Sequence, residues 1–390
     1  MDNKTFNLLR RLFLPAVIFF LGVFPVFAGY VTVRVFSKYD IQNGVITSVS
    51  GGHLQCKLKL AGNLIEAVCP GHDAQKSRTI TLFKGSYGNY EVEAAGQKRI
   101  IPGVITACLL KGEKGIVLIT KIDIEDYVPC VLSAEEDDAL YSPEFTKAHA
   151  IVIRTFAALN GKRHEHYDFC DLTHCEVFKG VPENGKKWYK AAKDTNGMIL
   201  SGGCAKDEAY FSACCGGITE NAGEFAYGKA GKCGQSIKDV YNGVQLCKGH
   251  RYFRWVKNVN VSDIEASLAE FTGGIYPDVM SLTISARTQS GRAKELKFGY
   301  IAGGAQKNIN VDANRFFSVF GKKAGWALIP SKFFEVEKRG DIFIFRGRGH
   351  GHGVGMCLQG AHQLAVMGKN YREILRFYFP DLEIAGLPGN

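Results

Sequence analysis

Gly347-Arg348-Gly349-His350-Gly351-His352-Gly353-Val354-Gly355-Met356 sets two imidazoles into a run of alternating glycines. Glycine at this density lets the backbone turn tightly and approach a ligand with no Cβ in the way. The imidazoles add donors, acceptors and a charge that switches near neutral pH. A phosphate cradle would need Lys and then Ser or Thr after the glycines, where Met356-Cys357 stands. A dinucleotide fingerprint opens a βαβ unit with a downstream acid, and this loop lies too near the C-terminus for one. A His-x-His metal pair lacks a nearby carboxylate or third histidine. A glycine-rich turn packing a strand onto a helix needs no ligand at all. The reading adopted here is a ligand-facing wall of a cleft, with His350 and His352 as binding residues.

A second chemistry sits upstream. Asp123-Ile124-Glu125-Asp126-Tyr127 leads into Val131-Leu132-Ser133-Ala134-Glu135-Glu136-Asp137-Asp138. Acids just before a helix are commonly solvated and stabilised by its dipole. Glu135, however, follows the apolar pair Val131-Leu132, which suits a strand delivering it into a cleft. The like charges of Glu136, Asp137 and Asp138 are expected to raise its pKa, as an acid catalyst requires.

The third group is His164, His166, Cys170, His174 and Cys175. Two thiolates and two imidazoles suit tetrahedral zinc, although the spacing differs from that of zinc fingers. A Cys170–Cys175 disulfide answers the same pattern in an oxidising compartment. A catalytic zinc fits less well, because four protein ligands leave no open position.

Elements must place these residues. Tyr30–Phe36, Leu54–Val68, Thr79–Lys84, Tyr90–Ala94 and Gly115–Ile124 alternate as strands. A helix is expected from Ser142 as N-cap and Pro143 as first residue to the stop at Gly161. Its apolar face is Phe145, Ala148, Val152, Phe156 and Leu159. Lys186–Asn196, Ile264–Phe271, Ala361–Met367 and Tyr371–Phe379 read as further helices. Strands resume at Val279–Ser285, Ala293–Tyr300 and Ile342–Arg346. Without βαβ alternation this is an α+β fold, β-rich with a few helices.

Lys+Arg 48 against Asp+Glu 38 gives +10, which suits an anionic partner. Basic runs with interleaved aromatics are missing, so nucleic acid ranks below a membrane surface or a cell wall. Lys4, Arg10 and Arg11 precede the uncharged stretch 12–28, and Pro25-Val26-Phe27-Ala28 resembles a signal-peptidase site. Residues 1–28 are therefore expected to be a signal peptide or N-terminal anchor. The body beyond is expected in the periplasm or cell envelope, touching membrane only through that segment. Twelve cysteines then invite disulfides. Cys204, Cys214, Cys215, Cys233 and Cys247 gather in a polar, Gly-rich stretch. Cys56, Cys69 and Cys108 lie in apolar strand contexts, where buried free thiols are expected.

Together these residues resemble a family. Tyr127 to Glu135 is similar to the tyrosine–valine–valine–glutamate segment of the SpoIID/LytB group. Lys147 to Ala157 is similar to its lysine–alanine–glutamine–alanine helix, and Tyr210 to Glu220 to its Gly-Gly-x-Thr-Glu block. Ser290-Gly291-Arg292 and the run 347–360 complete the order. The resemblance implies a β-rich part at 29–120, a catalytic domain at 121–390 and a glycan-binding cleft. The implied activity is that of a peptidoglycan lytic transglycosylase, with Glu135 as its catalytic acid. One carboxylate suffices for that chemistry: it protonates the glycosidic oxygen and then takes the proton of the sugar's own C6 hydroxyl. As glycan contacts it offers Arg154, Tyr210, Ser212, His350, His352 and Gln359. Arg154 has a second reading as an ion-pair partner for the acidic run. The resemblance also implies zinc at Cys170, His174 and Cys175 with His164 or His166, and a Cys215–Cys247 disulfide. Its implied partners are denuded glycan strands and a cell-wall amidase. The alternative function is a non-catalytic activator of that amidase. Two departures matter: Glu136-Asp137 replaces methionine–proline, and His149 replaces the helix glutamine.

Overall fold

The computed structural model describes residues 29–50, 52–137, 141–225, 235–273 and 278–387. The segment 1–28, Asp138 and Cys233 lie outside them. No helix among the described residues is long and apolar enough to cross a membrane.

The N-terminal part is a sheet built from β1 (Tyr30–Val35), β2 (Asn43–Ser48), β3 (Gln55–Ala61), β4 (Leu64–Val68), β5 (Gln75–Ser77), β6 (Thr79–Thr81), β7 (Gly88–Ala94), β8 (Gln97–Cys108), β9 (Val117–Asp123) and β10 (Phe169–Cys170). Its order is β10-β1-β9-β8-β7-β2-β3-β4-β5, with β6 pairing β8 off that path. Alternation explains the strands: in β1, Val31, Val33 and Val35 point into the core, while Tyr30 is exposed. The β3–β4 register pairs Lys57 with Val68, which sets Cys56 opposite Cys69. Those two form a disulfide, so the expectation of free thiols is corrected for both. Cys108 is a buried free thiol, as expected. Cys204 is also disulfide-bonded.

Helix α1 (Ile124–Glu135) follows β9 directly. Asp123 caps it, its Oδ1 accepting the Glu125 N–H at 2.8 Å. A strand was expected to deliver Glu135; a helix does so. Tyr127, Val128, Val131 and Leu132 are fully buried in the core that the sheet forms. Helix α2 (Pro143–Leu159) starts after Ser142 as expected, with Pro143 in its first turn. Both helices contribute to the core of the sheet.

A second core joins one side of α2 to the C-terminal helices Leu358–Val366 and Tyr371–Tyr378. A third, which the sequence reading had not separated, is built from residues 255–345. It combines the meander Asp278–Arg287, Ala293–Ala302 and Ala305–Asp312 with the sheet of Trp255–Asn260, Phe334–Arg339 and Ile342–Gly347. Phe298, Phe316, Phe343 and Phe345 are completely buried there. After this module the chain returns beside the strand it left: Phe211–Ser212 pairs in parallel with Met356–Cys357. The fold is α+β, as expected.

Candidate active site

Glu135 is the last residue of α1 and is partly exposed. Its Oε1 accepts the Val177 N–H at 2.7 Å, its only side-chain hydrogen bond among the described residues. Burial raises its pKa above the ordinary carboxyl value, while the Val177 N–H, His149 and Lys179 pull the other way. The direction agrees with the sequence expectation, but the cause does not. Desolvation does what the neighbouring acids were expected to do.

Glu136 points elsewhere. Its carboxylate accepts from Thr146 Oγ1 at 3.0 Å, from Trp188 Nε1 at 3.2 Å, and lies 3.1 Å from His149 Nδ1. With a side chain only 1% exposed, it is sealed between α2 and helix α3 (Lys186–Asp194). The two departures from the family pattern, Glu136 and His149, are therefore partners of one another. Between the two adjacent acids, Glu135 is the one with solvent access.

Glu176 was missed in the sequence. It is 2% exposed, its Oε2 accepts from Tyr127 Oη at 2.9 Å, and its Oε1 has no protein partner. Burial, and then the charge of Glu135, pushes its carboxyl well above the ordinary range. Only its place between Cys175 and Val177 could have flagged it.

The same segment carries the thiol–imidazole group. Cys175 Sγ lies 3.4 Å from His164 Nε2, 3.4 Å from His174 Nδ1 and 3.6 Å from Cys170 Sγ. One donor atom from each of these four residues falls within 4.8 Å of all the others. Both cysteines are free thiols, so the disulfide alternative is not what the structure holds. Two sulfurs and two imidazole nitrogens so close together fit a tetrahedral borderline metal. His166 is not part of the group: its Nε2 lies 4.0 Å from Glu165 and its ring is 44% exposed.

Arg154 is not placed to touch a ligand. It is fully buried and holds Glu125 through two bonds of 2.8 Å, from Nε and Nη2. Its remaining donors go to the Met198 and Ala192 carbonyls. The ion-pair reading holds, and the glycan-contact assignment is corrected.

The glycine run packs closely against its neighbours. A Cβ on Gly353 would lie 2.2 Å from Arg292 Nη2, and one on Gly355 2.0 Å from the Tyr210 carbonyl oxygen; both have positive φ. Close packing against Arg292 and the 210–216 segment accounts for these glycines without a ligand. His352 packs on Phe225 and Tyr210, and burial beside Arg292 and Lys332 lowers its pKa to about 4. His350 lies on Tyr252, and its backbone bridges to Cys214. Ser212 is buried with an unpartnered Oγ, and the Gln359 N–H donates to the Ala213 carbonyl at 3.2 Å. None of these groups makes a described contact with Glu135. Nor does a depression of about 470 Å³ on the N-terminal strands, lined by His72, Asp73, Lys84 and Tyr87 among others, include it. The Cys215–Cys247 disulfide is corrected too: the sulfurs are unbonded and 3.8 Å apart, with Asp239 and Cys357 beside them.

The family model described as Stage II sporulation protein, SpoIID, matches residues 112–201. That span holds Glu135, all of α2 and the thiol–imidazole group. Residues 112–201 thus match the SpoIID family. The chain is 26% identical over 286 residues to Stage II sporulation protein D of Bacillus subtilis (strain 168), covering 68% of this chain and 76% of that one. It is also 27% identical over 272 residues to an uncharacterized protein of Brachyspira hyodysenteriae, covering 69% and 68%. A second model, a domain of unknown function (DUF8618), matches residues 235–355 and thus the module with the third core. The SpoIID match supports a cell-wall related role and a link to sporulation.

Proposed function

We propose that this protein is a lytic transglycosylase that cleaves the bond between N-acetylmuramic acid and N-acetylglucosamine in peptidoglycan, with Glu135 as its acid and base. The observation that carries this reading is the state of Glu135: partly exposed, singly hydrogen-bonded and raised in pKa by burial. A raised pKa favours the protonated carboxyl, the form that can donate to the glycosidic oxygen. The resulting carboxylate then accepts the proton of the C6 hydroxyl, which closes a 1,6-anhydro ring. No second carboxylate and no activated water are needed. His164, Cys170, His174 and Cys175 would hold a structural zinc that fixes the segment ending at Val177. The protein would act outside the cytoplasm on strands whose stem peptides an amidase has removed.

The test is mass spectrometry of products from purified denuded glycan. Termini lighter by one water than hydrolytic ends, lost in Glu135→Gln, are expected. Reducing ends alone would mean hydrolysis. No cleavage, together with acceleration of an amidase, would favour the activator reading.

A further inference from the structure

Outside the candidate active site, four side chains converge from distant parts of the sequence. Cys215 follows the strand Phe211–Ser212, Cys247 sits in the turn Leu246–Gly249, and Cys357 ends the strand Met356–Cys357. Asp239 comes from the loop before Val240. All four are 0% exposed. One ligand atom from each lies within 4.8 Å of the other three.

We propose that Cys215, Asp239, Cys247 and Cys357 form a second metal site, structural and selective for a borderline-soft divalent ion such as zinc. Geometry supports it: the Cys215 and Cys247 sulfurs are 3.8 Å apart. Thiolates on tetrahedral zinc, with bonds of about 2.3 Å, also lie about 3.8 Å from one another. The surroundings resemble a prepared outer shell. Tyr378 Oη donates to Asp239 Oδ1 at 2.7 Å, and the Cys247 N–H to Oδ2 at 3.1 Å. The Cys215 N–H donates to Cys357 Sγ at 3.3 Å. Such bonds fix ligands in the orientation a metal requires. Charge is accommodated as well. Three thiolates and a carboxylate around a divalent ion leave two negative charges, and the buried Arg292 guanidinium donates to the Cys215 carbonyl at 2.6 Å.

A disulfide is the competing state of these thiols. It would join two sulfurs and leave the third, with a fully buried carboxylate, sharing no centre. Cys214 stands beside them, its thiol 3.9 Å from the Cys247 carbonyl and also facing the Cys247 and Cys357 thiols, so a bridge through Cys214 is the competing outcome of cysteine mapping. The position explains what a metal would do. The 255–345 module leaves the body just after Cys247 and returns just before Cys357, so the site clasps its base.

The full chain, purified without chelator or reductant, decides the matter by zinc content and cysteine mapping. We expect Cys215, Cys247 and Cys357 unbridged, and one zinc per chain fewer in Cys247→Ser than in wild type. A bridge involving any of the three, Cys214 as partner included, or unchanged zinc in Cys247→Ser, overturns the site. Where Cys247→Ser does not fold, Asp239→Asn keeps the side chain's shape. It should surrender one zinc equivalent to a chelator about ten-fold more readily; unchanged release again overturns the site. Loss of zinc in Cys175→Ser alone would leave the metal near Glu135 standing and remove this one.

Discussion

The Val177 N–H holds Glu135 Oε1 at 2.7 Å, only two residues after Cys175. The thiol–imidazole group and the candidate acid are thereby joined through one short stretch of backbone. Whatever fixes Cys175 also fixes the donor that orients the acid. Cys175→Ser should therefore lower glycan cleavage at least about ten-fold, in the range typical of lost supporting contacts at a metal. Glycan binding should fall less. Equal turnover in Cys175→Ser and wild type, at matched folded fraction, would break the link.

Glu135→Gln keeps shape and volume but can neither give nor take the proton. Cleavage should nearly vanish while binding persists. Stability has its own sign here. The folded state raises the Glu135 pKa, so it binds more protons than the unfolded chain between the ordinary and the raised value. That contribution is complete below the ordinary carboxyl range and is lost as pH rises through the folded pKa. Above that point Glu135→Gln should match or exceed wild type in Tm, and the advantage should disappear on acidification. A Tm deficit at neutral pH would mean that the carboxylate is structural.

Glu136→Gln should behave in the opposite way. Its carboxylate is the shared acceptor for Thr146, His149 and Trp188, and an amide cannot accept from all three without pointing its own N–H groups at donors. A loss of about 1–3 kcal/mol is expected from unsatisfied buried groups. Cleavage per folded molecule should stay close to wild type. Chemical denaturation alongside product analysis separates the two effects.

What the sequence could show, and what it could not, follows from the range of the forces involved. Helix α2 was legible because Ser142, Pro143 and the apolar spacing are local signals. Helix α1 was not, because Pro129 and the uninterrupted apolar stretch Val128–Leu132 mask a 3.6 period, and burial against the sheet decides its state. Cys56 and Cys69 stand at matching distances from the Ala61–Leu64 turn, so their pairing was available to a closer reading of the hairpin. Asp239 and Cys357 carried no such signal, being 118 positions apart (357 − 239) and joined only by tertiary packing. At the candidate site, Glu135 and the thiol–imidazole residues were legible as residue types. Val177 was not, because it contributes a backbone N–H that any residue could supply. The close packing of the glycine run was not legible because density alone cannot distinguish a loop that admits a ligand from one that admits a neighbouring backbone.

Arg154 offers the sharpest test of that distinction between contact and support. It lies on α2, fully buried, and its two 2.8 Å bonds to Glu125 tie α2 to the first turn of α1. Glu125 retains 25% side-chain exposure and can be partly rehydrated when its partner goes. Arg154→Met should then cost about 3 kcal/mol, the low end for breaking a buried pair. Arg154→Lys should recover only part, because an ammonium cannot reproduce the two-point hold. Since no ligand reaches this guanidinium, KM for glycan should be unchanged in whatever fraction of Arg154→Lys folds. A raised KM with normal stability would return Arg154 to the binding surface and refute the ion-pair assignment.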